Sequence, residues 1–161
     1  EEMAGAIPWS DLGSHDNYPT VEVYLGDPSW SDSEVFAKGI QLITDFDTGN
    51  PNIHVFSQDV CQRITPPVEW WEYRTSYHLG RIYRFYPREV KVGVENQDKI
   101  TRCIIIKTQC VRFWDDEARN PFKIANPKRN GFVGRELMLR LLFQTTLNPK
   151  THASSIHLVT T

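Results

Sequence analysis

Residues 73–95 read YRTSYHLGRIYRFYPREVKVGVE, and this stretch decides the fold class. Aromatic and β-branched side chains alternate with polar ones through Tyr73, Thr75, Tyr77 and Leu79, again from Ile82 to Tyr86, and again through Val90, Val92 and Val94. Period-2 runs of this kind suit a pleated surface with one wet face, and the breaks at Gly80 and Pro87 supply turns. A hairpin or bulged pair is predicted here.

Downstream, the run Cys103, Ile104, Ile105, Ile106 at the centre of residues 99–114 is apolar on both faces and predicts a central strand, the spine of the sheet. Upstream, residues 20–25 alternate Val21, Val23 and Leu25 against Glu22 and Tyr24, a half-buried strand ended by Gly26 and Pro28. Ser31 and Glu34 have capping-box spacing, and Phe36, Ile40 and Ile43 recur at helical intervals, so an amphipathic helix is predicted as far as about Phe46. Gly49 and Pro51 stop it, and residues 53–60 return to strand. Residues 120–134 carry Pro121, Pro127, Gly131 and Gly134 and read as a long basic loop. Residues 135–143 fit strand and helix periods alike, with strand favoured, and residues 156–159 form a short closing strand. Residues 1–19 are rich in Gly, Pro, Ser and Asp and read as an extended arm whose apolar Ile7, Pro8, Trp9 and Leu12 need a cover. The expected fold class is α+β: an arm over 1–19, then one domain over 20–161, mainly antiparallel β-sheet with one N-terminal amphipathic helix.

Composition agrees with one globular domain. The chain has 161 residues, 40% hydrophobic and 24% charged, and no apolar run approaches the roughly 20 residues of a membrane span. Three cysteines, Cys61, Cys103 and Cys110, make an odd number, and no Asn-x-Ser/Thr site or secretory signal is present, so reduced thiols and a cytoplasmic or nuclear location are expected. The formal charge of −2 hides a division: residues 1–72 hold 13 acidic and 2 basic side chains, residues 73–161 hold 7 acidic and 16 basic. Such a dipole steers a basic surface onto phosphate-rich partners or lets copies associate; interleaved halves would instead neutralise each other.

Chemical signatures are sparse. Phosphate-loop spacings are absent, and Asp45-Phe46-Asp47-Thr48-Gly49-Asn50 opens like a calcium loop but has Phe56 where a bidentate Glu belongs, so it reads as a helix-ending turn. Asp115, Asp116 and Glu117 read as a solvated turn. His15, His54, His78, His152 and His157 show no ligand spacing; His54 and His157 read as outward or hydrogen-bonded strand residues. No metal and no cofactor is expected. Trp70, Trp71, Tyr73 and Tyr77 could line a pocket for a small hydrophobic ligand, although core packing is the simpler account. Arg81, Arg84, Arg88 and Lys91 along the hairpin, with Lys123, Lys128 and Arg129 in the basic loop and Phe132 as an exposed apolar side chain, are the candidate surface for an anionic partner, membrane or nucleic acid.

Several local phrases add a resemblance. Ile7-Pro8-Trp9-Ser10-Asp11, Thr20-Val21-Glu22-Val23, Glu72-Tyr73-Arg74-Thr75 with Gly80-Arg81-Ile82-Tyr83, and Asn120-Pro121-Phe122-Lys123-Ile124 followed by Glu136-Leu137-Met138-Leu139 resemble the matrix proteins of rhabdoviruses. The resemblance implies a non-enzymatic virion protein of assembly and budding, self-associating through its arm and binding the cytoplasmic face of host membranes, the viral nucleocapsid or RNA, with no small-molecule substrate. Pro66-Pro67-Val68-Glu69 lacks the Tyr of that family's Pro-Pro-x-Tyr motif. Two rival classes remain open: a nucleic-acid-binding or capsid-forming β-rich module, and a small enzyme with an aromatic-lined pocket.

Overall fold

The computed structural model describes residues 6–8, 20–46, 49–51, 53–57, 60, 62–64, 66–78, 81–95, 99–106, 110–114, 130–140, 142–147 and 154–159. Among them the order is β1 (Ala6–Pro8), β2 (Thr20–Gly26), α1 (Asp32–Lys38), β3 (Ile40–Phe46), β4 (Ile53–Ser57), a 3-10 turn (Trp70–Glu72), β5 (Arg74–His78), β6 (Arg81–Pro87), β7 (Val90–Glu95), β8 (Thr101–Ile106), β9 (Cys110–Trp114), β10 (Gly131–Val133), α2 (Arg135–Arg140), β11 (Leu142–Leu147) and β12 (Ser154–Val159). Nine strands form one sheet in the order β5-β6-β9-β4-β10-β3-β2-β7-β8, and three form another, β1-β12-β11. The domain is mostly β, and its large sheet is mixed: its pairings are mainly antiparallel, as expected, but β10 runs parallel to β3 and β4 parallel to β9.

Alternation builds the core. Val23 faces Leu42, Leu25 faces Ile40 on one side and Val92 on the other, and Val92 faces Ile104, so one side of the sheet collects a continuous apolar row. Tyr86, Ile53, Val55, Val133 and Leu137 extend the same buried cluster. Each such side chain withdrawn from water contributes about 1.5–3 kcal/mol, which a seven-residue helix cannot gain from its own hydrogen bonds.

The helix ends earlier than its spacing suggested. Ser31 caps α1 through the expected box with Glu34, but the chain turns at Gly39, where a Cβ would meet the Val35 carbonyl oxygen and lie 2.8 Å from that of Leu25. Ile40 and Ile43, read as helical, belong to β3; Ile40, Leu42 and Thr44 are its buried alternation. The 103–106 run is not the spine. It lies in β8 at the edge of the large sheet, and is apolar on both faces because Ile104 and Ile106 meet the core while Cys103 lies against Asp32. Residues 135–143 divide into α2 and the start of β11, and the expected basic loop contains β10. Of the expected arm, Ala6–Pro8 pairs with Ser155–His157; the rest of 1–19 lies outside the described residues.

Strand β10 fixes the layout of the site. It lies between β3 and β4, with Phe132 opposite Asp45 on one side and His54 on the other. Residues 47–52 therefore connect two strands that flank β10 at its C-terminal end. Asn130 sets the register: its N–H donates to the Ile43 carbonyl at 2.9 Å, and its Oδ1 accepts the Ile43 N–H at 3.1 Å.

Candidate functional site

Opposite residues in paired strands share a face. The pairings Asp45–Phe132 and Phe132–His54 thus set these three side chains in one row across the sheet, on the side away from the apolar core, with Phe85 of β6 packed into the same group. Asp45 and His54 are buried polar groups on that side, and Phe132 between them is 5% exposed. Tyr83 of β6 closes the group: the His54 ring meets Tyr83 at 5.7 Å and Phe132 at 5.5 Å, both edge-on. A separate aromatic cluster of Tyr83, Phe85 and Phe132 results, distinct from the main core.

The connection 47–52 is pinned where it is described. The N–H groups of Arg135 and Glu136, at the start of α2, donate to the carbonyls of Asn50 at 2.8 Å and Pro51 at 3.3 Å. The buried Asn50 side chain places Nδ2 3.4 Å from His54 Nδ1. The Asp45 carboxylate and the His54 imidazole thus flank Phe132 on this face, and the Asn50 amide reaches His54 from the connection at the C-terminal ends of β3 and β10. Asp47 and Thr48 belong to this loop in sequence and lie outside the described residues. The expected helix-ending turn at residues 45–50 is instead the end of β3 and its exit. Asn50 went unnoticed as a site residue. The signal that could have found this loop is an Asp with a small hydroxyl and a glycine, 47–49, directly after an apolar strand.

A second cluster lies beside α1. Lys91 Nζ bonds the Trp30 carbonyl at 2.8 Å and Asp32 Oδ1 at 2.7 Å, and the Asp32 carboxylate also holds the Cys103 thiol. Burial, then the Asp32 charge, push that thiol up to about 11, so it stays protonated at neutral pH and is no nucleophile. Among the described residues no group of three or more His, Cys, Asp and Glu side chains converges to hold a metal, and no helix is long and apolar enough to cross a membrane.

The candidate anionic-partner residues do not assemble as one described surface. Arg84 is exposed on β6; Arg88 is ion-paired to Glu72 at 3.0 Å and stacked over Tyr86; Lys91 is 14% exposed in its pair with Asp32. Phe132, expected outside, is buried because β10 is an inner strand. The Arg81 side chain, with Lys123, Lys128 and Arg129, lies outside the described residues, as do Trp9 and Leu12; Ile7 and Pro8 pair with Ile156 and Ser155. Trp70 and Trp71, read mainly as core, are 76% and 65% exposed because the 3-10 turn projects them; Tyr73 alone of that group packs on the core, and Tyr77 is exposed.

No family model matches this chain, and no curated protein matches it. Among solved structures it is similar to a retropepsin-like aspartic protease from Rickettsia conorii, at 10% identity and a TM-score of 0.52, over 99% of this chain and 96% of that one. That likeness extends to the whole fold and overturns the resemblance to rhabdovirus matrix proteins. The expectations of a non-enzymatic virion protein of assembly and budding and of RNA binding are corrected with it: the fold is one that an enzyme uses.

Proposed function

We propose that this chain is a peptidase of the aspartic type, with Asp47 as its reactive carboxylate. The observation that carries the reading is the place of Asp47 in sequence, directly after β3 at the head of the connection that flanks β10, in a fold shared with an aspartic protease. Peptide hydrolysis by carboxylates needs two of them sharing one proton, because like charges a few ångströms apart cannot both ionise. The ionised member takes a proton from the attacking water and the protonated member gives one to the carbonyl oxygen; as the C–N bond then breaks, the newly protonated carboxyl gives its proton to the leaving nitrogen and the other takes one from the diol hydroxyl, leaving acid, amine and the starting pair. In sequence the carboxylate is followed by the hydroxyl residue Thr48 and by Gly49, which lies in a turn.

The chain has one such loop, so the second carboxylate comes from a second copy across a two-fold axis. The test is hydrolysis of a fluorogenic peptide library between about pH 3 and 7. Asp47→Asn is expected to lower kcat roughly 10²–10⁴-fold, and specific activity is expected to rise with protein concentration as copies associate. Wild-type protein without activity, or an Asp47→Asn chain as active as wild type, overturns the assignment; full activity in a sedimenting monomer moves the second carboxylate into the same chain.

A further inference from the structure

We infer that His54 is a positioning residue for the reactive loop, acting through Asn50; the inference rests on the peptidase reading of that loop. His54 is a buried titratable side chain that the proposed chemistry does not use, 7% exposed on the second residue of β4. Its ring is held from two sides by the edge-on contacts with Tyr83 and Phe132, which leaves it little freedom to turn. Nδ1 is thereby aimed at Asn50 Nδ2, 3.4 Å away, in the loop that begins with Asp47.

As a neutral ring protonated at Nε2, His54 accepts that amide N–H. The Asn50 carbonyl meanwhile accepts the Arg135 N–H at the start of α2. Asn50 is thus fixed at both its side chain and its backbone, to two different elements, β4 and α2. Only Thr48 and Gly49 separate it from Asp47 in sequence, so fixing Asn50 limits how far the carboxylate can stray. Removal of the His54 contact loosens the Asn50 side chain while its carbonyl stays bonded to the Arg135 N–H. A reacting group displaced by about 1 Å loses on the order of 10²-fold in rate without losing substrate affinity.

The test compares His54→Leu, Asn50→Ala, the double variant and His54→Asn. The asparagine places an amide oxygen where Nδ1 stands and can still accept from Asn50. His54→Leu and Asn50→Ala are each expected to lower kcat roughly 10–100-fold with KM within about twofold, the double variant no further, and His54→Asn to recover most of the loss. Unchanged kcat in the single variants, or His54→Asn as impaired as His54→Leu, overturns the inference. Exchange of the Asn50 side-chain amide protons, read by NMR, needs no activity: protection in the wild type that is lost in His54→Leu supports the role, and protection that persists removes it. An inactive wild type would overturn the peptidase reading alone, because the exchange measurement still decides the part played by His54. If His54→Leu does not fold, Asn50→Ala and His54→Asn carry the same comparison.

Discussion

At the residue scale the tightest constraint is Gly131. A Cβ there would meet the His54 carbonyl oxygen, a backbone atom of the neighbouring strand, and β10 cannot shift because β3 holds its other side. Gly131→Ala is therefore expected to cost about 3 kcal/mol in urea unfolding, at the upper end of overpacking penalties. Gly93→Ala is the contrast: its Cβ would lie 2.7 Å from the tip of the Phe36 ring, which can rotate aside, so about 1 kcal/mol is expected. Equal costs would mean that β10 yields as readily as a side chain. Cys103 makes a second residue-scale prediction. Burial first and the Asp32 carboxylate next hold its thiol up near 11, and both act by disfavouring the thiolate. Alkylation at about pH 8 is expected to be slow. Asp32→Asn removes the negative charge, lowers the thiol pKa and accelerates the reaction; a rate unchanged by Asp32→Asn would show that burial alone governs the thiol.

At the element scale α1 shows how a short helix is held. Ser31 Oγ accepts the Glu34 N–H at 3.2 Å, Glu34 accepts the Ser31 N–H at 3.2 Å, and Lys38 pairs with Glu34 at 2.8 Å. Ser31→Ala is expected to cost about 1 kcal/mol. Lys38 first, then the Ser31 N–H, hold the Glu34 carboxyl down at about 2, below its ordinary 4.5. A depressed carboxylate stabilises the fold above its unfolded pKa and loses that effect as pH falls through the folded one. The difference in urea midpoint between wild type and Glu34→Gln should accordingly be full at pH 6 and fade between about pH 4.5 and 2. A difference that persists at about pH 2 would assign it to the side-chain change itself. These local features were legible in the sequence: the Ser31–Glu34 box, the β2 alternation, and the hairpin of β5 and β6 broken at Gly80. Elements whose partners are distant were not. Gly131 to Val133 is three residues in a Pro/Gly-rich stretch, and it is a strand only because β3 and β4, some eighty residues earlier, close around it. Ile40 and Ile43 fit a helical interval and a strand alternation equally, and the steric stop at Gly39 depends on the Leu25 carbonyl of another strand. The site was hidden for the same reason: His54 and Asp45 become neighbours of Phe132 only through β10.

At the scale of the whole molecule the charge division along the chain is crossed where the described strands interleave. β2, β3 and β4 of the acidic half lie between β9 and β7 of the basic half, and the ion pairs Lys91–Asp32 and Arg88–Glu72 each join one half to the other. These described charges are paired across the division, so association of copies is expected to change little between low salt and about 1 M, where charge steering would be screened out. The terminal strands offer a different basis for association. β1 pairs with β12, and β12 with β11, so both ends of the chain meet in a small sheet with two edges, while the large sheet begins only at Thr20. Deletion of residues 1–8 removes β1, uncovers the backbone of β12 and leaves every strand of the large sheet in place. The shortened chain is thus expected to keep its cooperative melt and the near-ultraviolet signature of its buried aromatics. Its association should move to higher concentration, because the edge on which a second copy would pair has changed. Peptidase activity should follow, with the concentration for half-maximal specific activity rising and the saturating value unchanged, since Asn50 and His54 stand at the large sheet and not at the small one. Sedimentation velocity beside activity titrations separates the outcomes: an unchanged association curve would exclude the small sheet from the contact, and loss of the cooperative melt would show that β1 supports the fold rather than the pairing of copies.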